Sequence, residues 1–372
     1  MDNRSLFKNI DFGLILLILS LVSVGMLAIA SATRFMEDGI SREVKVQAFA
    51  FFIGVVIVII SLLIDYNTVG SIYKLVYVLS IGMLLLVYVP GLGAPRGGAL
   101  SWIDLGVMDL QTSEVAKIGF IISFAKFLEN HEEDLNHPKT LGKIALFVAP
   151  FLLLIYKQPD FGTMLVFVSI IGGMLLVAKW DWRYIGTAIG VGIIGGANAG
   201  KFLDEYQMNR LFAFLEPENL LLPGNYHVNA SKTTIGAGMM TGRGLFEGVY
   251  HKGDWLPVQE TDFIFAVWCE ETGFVGGAII IGLMLLMLMN LMKIAYQAKD
   301  KFGTYIVTGI VFMFLFQIFE NIGMTMGLMP VTGITLPFIS YGGSSMITNI
   351  IMIGIALNVH MRRKKQGMFS NR

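Results

Sequence analysis

Residues 12–32 read FGLILLILSLVSVGMLAIASA, an apolar run without Asp, Glu, Lys or Arg. A helix needs about 20 mostly apolar residues to cross the hydrocarbon core of a bilayer, so this run is long enough to span a membrane. Its end, Ala28-Ile29-Ala30, resembles the cleavage site of a secretory leader, but such a leader has an apolar core of only about 7–15 residues. We therefore interpret residues 12–32 as a retained membrane span.

The rest of the 372-residue chain has the same apolar character. Hydrophobic residues make up 55% of it, charged residues make up 15%, and the mean hydropathy is +0.68. A soluble domain has roughly 45–50% apolar and about 25% charged residues, so this composition excludes an ordinary soluble protein. The 27 basic residues balance 27 acidic ones, which argues against nucleic acid as a partner. The single cysteine, Cys269, excludes an intrachain disulfide and a cysteine metal site.

Further apolar runs predict that residues 1–372 form a single polytopic, all-α integral membrane domain of about ten spans. The predicted spans are 12–32, 46–64, 72–90, 111–128, 141–157, 161–179, 184–200, 263–288, 303–322 and 341–360. They leave one large segment, residues 201–262, between spans seven and eight. Long loops of this kind are usually functional.

The basic residues predict the orientation of these spans. When basic residues near the ends of the spans are counted with the adjoining segment, sixteen Lys and Arg residues lie on the predicted inside, whereas five lie on the predicted outside apart from the long 201–262 segment. The positive-inside rule therefore places both termini in the cytoplasm, and the C-terminal run 362–365 (RRKK) agrees with this. Residues 201–262 then face the outside.

Glu114 and Lys117 fall within the predicted span 111–128, where charges are costly. Because they are three residues apart, they share one face of a helix. Two interpretations stand equal at this point. The two charges neutralise each other so that the helix can insert, or they line a polar cavity and contact a charged substrate.

Asp262 stands at the predicted boundary between water and membrane, in the stretch 259–266 (QETDFIFA). Apolar neighbours that limit its solvation would raise its pKa towards the range of a general base. The alternative is that Thr261 and Asp262 only cap the helix of span eight, and the local sequence favours this cap. Among the predicted outer basic residues, Arg96, Arg210, Lys232, Arg243 and Lys252, any member could bind phosphate or be ordinary surface.

Four blocks of sequence, taken together, resemble one family of membrane proteins. They are 102–106 (WIDLG) leading to Ser113-Glu114 and Lys117, then 158–163 (QPDFGT), 261–266 (TDFIFA) with Glu270-Glu271 and Gly273, and 336–345 (LPFISYGGSS). In this order they are similar to the shape, elongation, division and sporulation (SEDS) family. Residues 329–333 (MPVTG) and the short tails resemble its elongation branch more than its division branch.

The resemblance implies a peptidoglycan glycosyltransferase of the bacterial cytoplasmic membrane that polymerises lipid II on the outer face. Asp262 matches the family's essential aspartate, whose implied role is general base in an inverting displacement of undecaprenyl pyrophosphate. The implied substrate-binding residues are Glu114, Lys117, Arg210, Arg243, Asp160 and Ser344. Lys117, Arg210 and Arg243 are the candidates that neutralise the pyrophosphate, with or without a divalent cation such as Mg²⁺ or Mn²⁺.

The resemblance also implies partners: a class B penicillin-binding protein that crosslinks the glycan, and other membrane proteins of an elongation complex. Glu260 adds a second carboxylate two residues from Asp262, so either of the two could accept the proton. Two other functions fit a polytopic chain with intramembrane charges. One is a lipid II flippase, and the other is a non-catalytic scaffold that recruits the penicillin-binding protein.

Overall fold

The computed structural model of this chain describes residues 9–34, 39–96, 99–106, 108–187, 190, 205–219, 223–249 and 255–363. Its main elements are helices. In chain order these are α1 (Phe12–Thr33), α2 (Arg42–Leu63), α3 (Tyr66–Ser71), α4 (Tyr73–Leu86), α5 (Thr112–Asn130), α6 (Pro138–Lys157), α7 (Phe161–Val177), α8 (Glu205–Leu215), α9 (Pro223–Ala237), α10 (Ile264–Gln297), α11 (Lys301–Thr325) and α12 (Gly343–Met361).

Nine of the ten predicted spans coincide with helices among the described residues. Six of these helices, α1, α2, α6, α10, α11 and α12, are long and apolar enough to cross a membrane, and α4 and α7 are shorter apolar helices. Helix α5 matches the predicted span 111–128 in position, but its charged residues keep it out of that group. The seventh predicted span, 184–200, lies for the most part outside the described residues. The chain is therefore mostly helical and multi-pass.

The prediction of an all-α fold needs one correction, because a small sheet connects α4 to α5. Strands β1 (Gly93–Arg96), β2 (Ala99–Asp104) and β3 (Asp109–Gln111) pair antiparallel in the order β1-β2-β3. Trp102 pairs with Gln111 in the register of β2 and β3. Glycine and proline in this connection disfavour a helix, and the alternating burial of Ser101 and Ile103 suits a strand.

The segment 201–262 is also more ordered than a long loop, because it contains α8 and α9. The turn after α8 is fastened to α9 by Asn225, a buried side chain. Its amide Nδ2 donates to Glu216 O at 2.7 Å and to Asn219 O at 2.9 Å. A buried amide requires such partners, so these two bonds fasten Asn225, and α9 with it, to the turn after α8.

Helix α10 is interrupted at Gly273, whose φ of 69° and ψ of −166° are not helical. The glycine-rich residues 238–244 fill this break. A Cβ atom at Gly238 would lie only 1.9 Å from Cys269 O, and one at Gly242 would lie 2.0 Å from Glu271 O. Only glycine allows two backbones to approach so closely, so these glycines seat the outer segment against α10.

Backbone hydrogen bonds to residues 239–244 bridge the break in α10. Phe274 N and Val275 N donate to Met239 O and Met240 O at 2.8 and 3.2 Å. In return, the amides of residues 243 and 244 donate to the carbonyls of residues 270 and 271, each at 3.0 Å. Exchanging bonds in both directions compensates for the helical bonds that the break removes. The outer segment is therefore an integral part of α10's architecture.

Candidate active site

Asp262 lies in a tight turn, residues 258–263, which we call the Asp262 turn. Its backbone N–H donates to Val258 O at 3.2 Å, and Val258 has a φ of 55°, a left-handed conformation that β-branched residues rarely adopt. Helix α10 begins directly afterwards with Phe263 as its N-cap, and no side chain donates or accepts a capping bond there. The interpretation of Asp262 as a simple helix cap, which the local sequence favours, is therefore wrong.

The Asp262 turn is fastened to the irregular segment 330–342, which follows α11. Ser340 Oγ donates to Thr261 O at 2.6 Å, and Tyr341 N donates to Glu260 O at 2.9 Å. The segment is uncharged, and several of its side chains, including Leu336 and Phe338, are buried. It therefore acts as the rigid support on which the carboxylate is presented.

Asn321 of α11 provides a second fastening of the same turn. Its amide Nδ2 donates to Asp262 O at 3.0 Å and to Ile334 O at 2.8 Å, and its side chain is completely buried. One amide group thus fixes the backbone of Asp262 relative to the 330–342 segment. Asn321 is not among the site residues predicted from the sequence, although a polar residue near the end of an apolar span is a usable signal.

Arg210 of α8 lies close enough to Asp262 for its charge to act on that carboxylate. A Cβ atom at Gly333 would lie 3.5 Å from Asp262 Oδ2 and 3.9 Å from Arg210 Nη1, so both groups border the same glycine. Arg210 Nη1 itself donates to Val331 O at 3.2 Å. The glycine, with a φ of 76°, leaves open space between the carboxylate and the guanidinium that any larger side chain would occupy.

The surroundings of Asp262 tune its acidity. Burial raises the pKa of the Asp262 carboxyl to about 6, while the Arg210 charge and a hydrogen bond from Thr261 oppose this rise and the Glu260 charge adds to it. A carboxylate with this pKa is mostly ionised at neutral pH and still basic enough to accept a proton in a transition state. Nearby, burial and the Arg210 charge lower the pKa of His227, so this imidazole stays neutral.

Glu114 and Lys117 form a direct ion pair on α5. Lys117 Nζ lies 2.7 Å from Glu114 Oε1, and the two side chains are 2% and 7% exposed. Glu114 Oε2 has no hydrogen-bond partner among the described residues. Helix α11 packs against both α5 and α10, so three neighbouring helices carry this pair and the Asp262 turn. Mutual neutralisation is thus realised, and contact with a substrate stays a prediction.

Asp160 and Ser344 take part in one network that joins β3 to α7 and α12. Asp160 caps α7 by accepting from Thr163 N at 3.0 Å, and it also accepts from Gln111 Nε2 at 3.2 Å. Ser344 Oγ accepts from Gln111 N at 3.0 Å and donates to Asp109 O. The geometry gives both side chains structural bonds, and their predicted contact with substrate stays a prediction.

Arg243 lies away from the Asp262 turn, in the glycine-rich contact with α10. Its Nε donates to Ala237 O at 3.1 Å, and its backbone N–H bonds to the carbonyl of Glu270, two helical turns beyond Asp262. The carboxylates of Glu270 and Glu271 accept the backbone N–H groups of residues 249 and 246 at 2.7 and 3.0 Å. These two acidic residues therefore fasten the outer segment to α10.

A divalent cation would find few protein ligands at this place. Among the described residues, no three His, Cys, Asp or Glu side chains converge as a metal site would require. Asp262 is close enough to Glu260 for the charge of Glu260 to raise its pKa, so these two carboxylates are the available pair. Ligands beyond this pair would have to come from water or from the phosphates of a substrate.

The chain resembles several characterised proteins over nearly its whole length. Stage V sporulation protein E of Bacillus subtilis is 35% identical over 356 residues, which are 94% of this chain and 96% of that protein. Peptidoglycan glycosyltransferase MrdB of Escherichia coli K12 is 34% identical over 360 residues, which cover 96% of this chain and 95% of the relative. Peptidoglycan glycosyltransferase RodA of Treponema pallidum is 31% identical, with 96% of this chain and 98% of the relative covered.

Solved structures show the same relationship. A chain of a peptidoglycan synthase complex that coordinates polymerization and crosslinking matches with a TM-score of 0.83 and 29% identity, and 96% of this chain and 99% of that chain are covered. The rod shape determining protein RodA of Thermus thermophilus matches with a TM-score of 0.72 and 27% identity, with coverage of 96% and 98%. The family model for FtsW, RodA and SpoVE, described as cell cycle protein, matches residues 9–365. This chain therefore belongs to the FtsW/RodA/SpoVE family of membrane-embedded cell cycle proteins, the SEDS family.

Proposed function

We propose that this chain is a peptidoglycan glycosyltransferase that polymerises lipid II, with Asp262 as its general base. The observation that carries the proposal is the position of Asp262 beside Gly333 and Arg210, on a turn held by the 330–342 segment. Relatives that are themselves named peptidoglycan glycosyltransferases match 96% of the chain. The flippase and scaffold alternatives do not require a carboxylate in such a setting.

In the proposed reaction, Asp262 takes the proton of the acceptor sugar's 4-hydroxyl as the oxygen attacks the anomeric carbon of the donor. The new glycosidic C–O bond forms while the bond from that carbon to the pyrophosphate oxygen breaks, with inversion at the carbon. Undecaprenyl pyrophosphate leaves with the bonding electrons. Arg210, which borders the same glycine as Asp262, is placed to neutralise this charge. A divalent cation such as Mg²⁺ or Mn²⁺ would add to this neutralisation when bound.

The proposal includes a location and partners. The distribution of basic residues supports a multi-pass protein of the bacterial cytoplasmic membrane with inside termini, whose Asp262 turn faces outward. A lipid-anchored acceptor would present its sugar at this boundary. We infer a class B penicillin-binding protein as partner, because a related chain is part of a synthase complex that coordinates polymerization and crosslinking. The elongation branch is the proposed role within the family.

The test measures conversion of labelled lipid II into glycan polymer by purified wild type and Asp262→Asn, each with and without a class B partner. The nearly isosteric change should lower the rate at least about a hundredfold, which is the usual contribution of a general base. Asp104→Asn is the matched control, because Asp104 is exposed and its Oδ1 only accepts from Gly106 N at 2.7 Å. An Asp262→Asn enzyme as active as this control would refute the assignment and direct attention to Glu260.

A further inference from the structure

A pocket lies between α8, α9 and the turn formed by residues 327–331. Two cations and several apolar side chains line it. The ones that matter here are Arg210, Lys232, Phe214, Val228, Met329 and Pro330. No carboxylate is among the described residues that line the pocket. A cavity lined both by two cations and by apolar side chains suits an amphipathic anion.

The backbone of the 327–331 turn positions both cations. Arg210 Nη1 is held by Val331 O at one end of the turn. At the other end, a Cβ atom at Gly327 would lie 2.5 Å from Lys232 Nζ, so the ammonium group rests directly on the glycine. Gly327 has a φ of 71°, which disfavours any other residue there. The turn thus keeps Lys232 close to the pocket although its side chain is exposed to solvent.

Lys232 has no salt-bridge partner among the residues that the structure describes. Helix α9, which forms one side of the pocket, is held at two points. Asn225 fastens it to the turn after α8, and Ser231 fastens it to α11, because Ser231 Oγ donates to Thr325 O at 2.8 Å. The pocket is therefore a preformed feature with a rigid frame. A preformed site loses little conformational entropy when a ligand binds.

We propose that this pocket binds the phosphate group of a lipid, with Lys232 and Arg210 contacting the phosphate oxygens and the apolar wall contacting the first part of the chain. The donor's pyrophosphate is the source that the proposed function would supply, and in this respect the inference rests on that function. An anionic phospholipid headgroup offers the same chemistry. Because Arg210 also borders Gly333 with Asp262, a phosphate bound here would lie next to the proposed base.

The probe for this site is farnesyl pyrophosphate, a soluble prenyl pyrophosphate, binding to the full-length protein in nanodiscs of neutral phosphatidylcholine. Lys232→Gln should raise the Kd about tenfold, because one charge-assisted contact to phosphate is lost. The control is Lys45→Gln, since Lys45 is an equally exposed lysine near the start of α2 and should leave the Kd unchanged. Substitution of an exposed lysine should leave the fold intact.

Two further arms identify the source of the phosphate. Farnesol, which lacks phosphate, should not compete with the probe at the same concentration. Nanodiscs that contain phosphatidylglycerol would weaken probe binding if the pocket accepts any anionic lipid, and would leave it unchanged if the pocket is selective for a pyrophosphate. An identical Kd for wild type, Lys232→Gln and Lys45→Gln would overturn the proposal, and so would full competition by farnesol.

Because binding is measured without turnover, this test is independent of the proposed activity. If the protein bound the probe through Lys232 but made no polymer from lipid II, the proposed glycosyltransferase activity would be contradicted and the proposed phosphate site would stand. If the protein polymerised lipid II but Lys232→Gln did not change the Kd for the probe, the proposed phosphate site would be contradicted and the proposed glycosyltransferase activity would stand.

Discussion

Two of the places where this molecule brings a carboxylate near a cation differ in how they do so. In the first, Lys117 Nζ meets Glu114 Oε1 directly at 2.7 Å, and both side chains are nearly inaccessible. In the second, Asp262 and Arg210 border a common glycine, and a carbonyl of the 330–342 segment holds the guanidinium. In the first arrangement the two charges neutralise each other within the protein. The second leaves a half-buried carboxylate with a pKa of about 6 that makes no direct ion pair of this kind with a described residue.

The difference shows how the same residue types can be structural or chemical. A buried pair in contact is mainly a condition for folding, since loss of one partner leaves an uncompensated charge. A carboxylate whose cation is held elsewhere keeps its lone pairs available for a proton.

Breaking the first pair should affect stability most. Glu114→Gln leaves Lys117 buried without a counter-charge and should cost about 3–5 kcal/mol of unfolding free energy. The same helix offers a matched control in the pair Lys126 and Glu129, which has the same spacing and is about one-quarter exposed. Glu129→Gln should cost only about 0–1 kcal/mol. Unfolding in mixed detergent micelles measures both, and equal costs would contradict the structural role of the α5 pair.

Loosening the Asp262 turn should reduce activity by a smaller but clear factor. Asn321→Asp removes the amide that donates to Asp262 O and Ile334 O, and should lower kcat at least about tenfold because the base shifts out of place. Asn358 is a natural control, because its Nδ2 likewise donates to two carbonyls, Ser61 O at 2.7 Å and Ile64 O at 2.8 Å.

Asn358→Asp should cost less stability, because Arg362 Nη1 lies 2.6 Å from Asn358 Oδ1 and would pair with the new carboxylate, and it should leave kcat of the folded fraction near that of wild type. The comparison is made on kcat for lipid II polymerisation, together with thermal unfolding of each variant. If the two substitutions lowered kcat to the same extent, the effect of Asn321 would be one of general stability rather than of position.

The second pair predicts a pH dependence. Only the ionised Asp262 accepts a proton, so kcat/KM should fall as pH decreases through about 6 and reach half its plateau there. The Arg210 charge lowers the pKa of Asp262, so Arg210→Gln should move this midpoint to higher pH. The acid limb of the pH–rate profile gives this midpoint for wild type and for Arg210→Gln. A midpoint that is the same in Arg210→Gln, or lower, would contradict the pairing of Arg210 with Asp262.

The smallest effect is expected for Glu260. Its charge raises the pKa of Asp262, so Glu260→Gln should move the acid midpoint slightly lower and change the plateau rate less than about threefold. This measurement also decides between the two carboxylates. If Glu260→Gln abolished polymerisation while Asp262→Asn did not, Glu260 would be the base.

The transmembrane architecture was predictable because the physics of a membrane span is local. Backbone groups in lipid must be satisfied within their own helix, so a long apolar run such as residues 12–32 leaves little alternative to a helix like α1. The Glu114 and Lys117 contact was predictable for a similar reason, because three residues along a helix bring two side chains to one face. The small sheet of β1 to β3 was missed because a short, glycine-containing connection has only a weak pattern.

The candidate site was predictable only in part. Asp262 was identifiable from its position and from the family resemblance, but its freedom from a capping role depends on the turn that Val258 forms. The positioning of that turn by Asn321 joins residues 59 positions apart, and no local spacing indicates it. Gly238 and Gly242 belong to a glycine cluster that is visible in the sequence. Their close contact with the break at Gly273 could not be predicted, because it depends on how α10 packs against them.

Local patterns in the sequence were enough to establish a multi-pass helical protein, because burial of apolar runs and helical spacing act over a few residues. The sequence left Lys117, Arg210 and Arg243 as equal candidates for the cation of the site. The tertiary structure separated them: Lys117 is paired with Glu114, Arg243 lies in the glycine-rich contact, and Arg210 borders Gly333 with Asp262. Electrostatic partnership depends on distance in space, and only the packing of α8 against the 330–342 segment sets that distance.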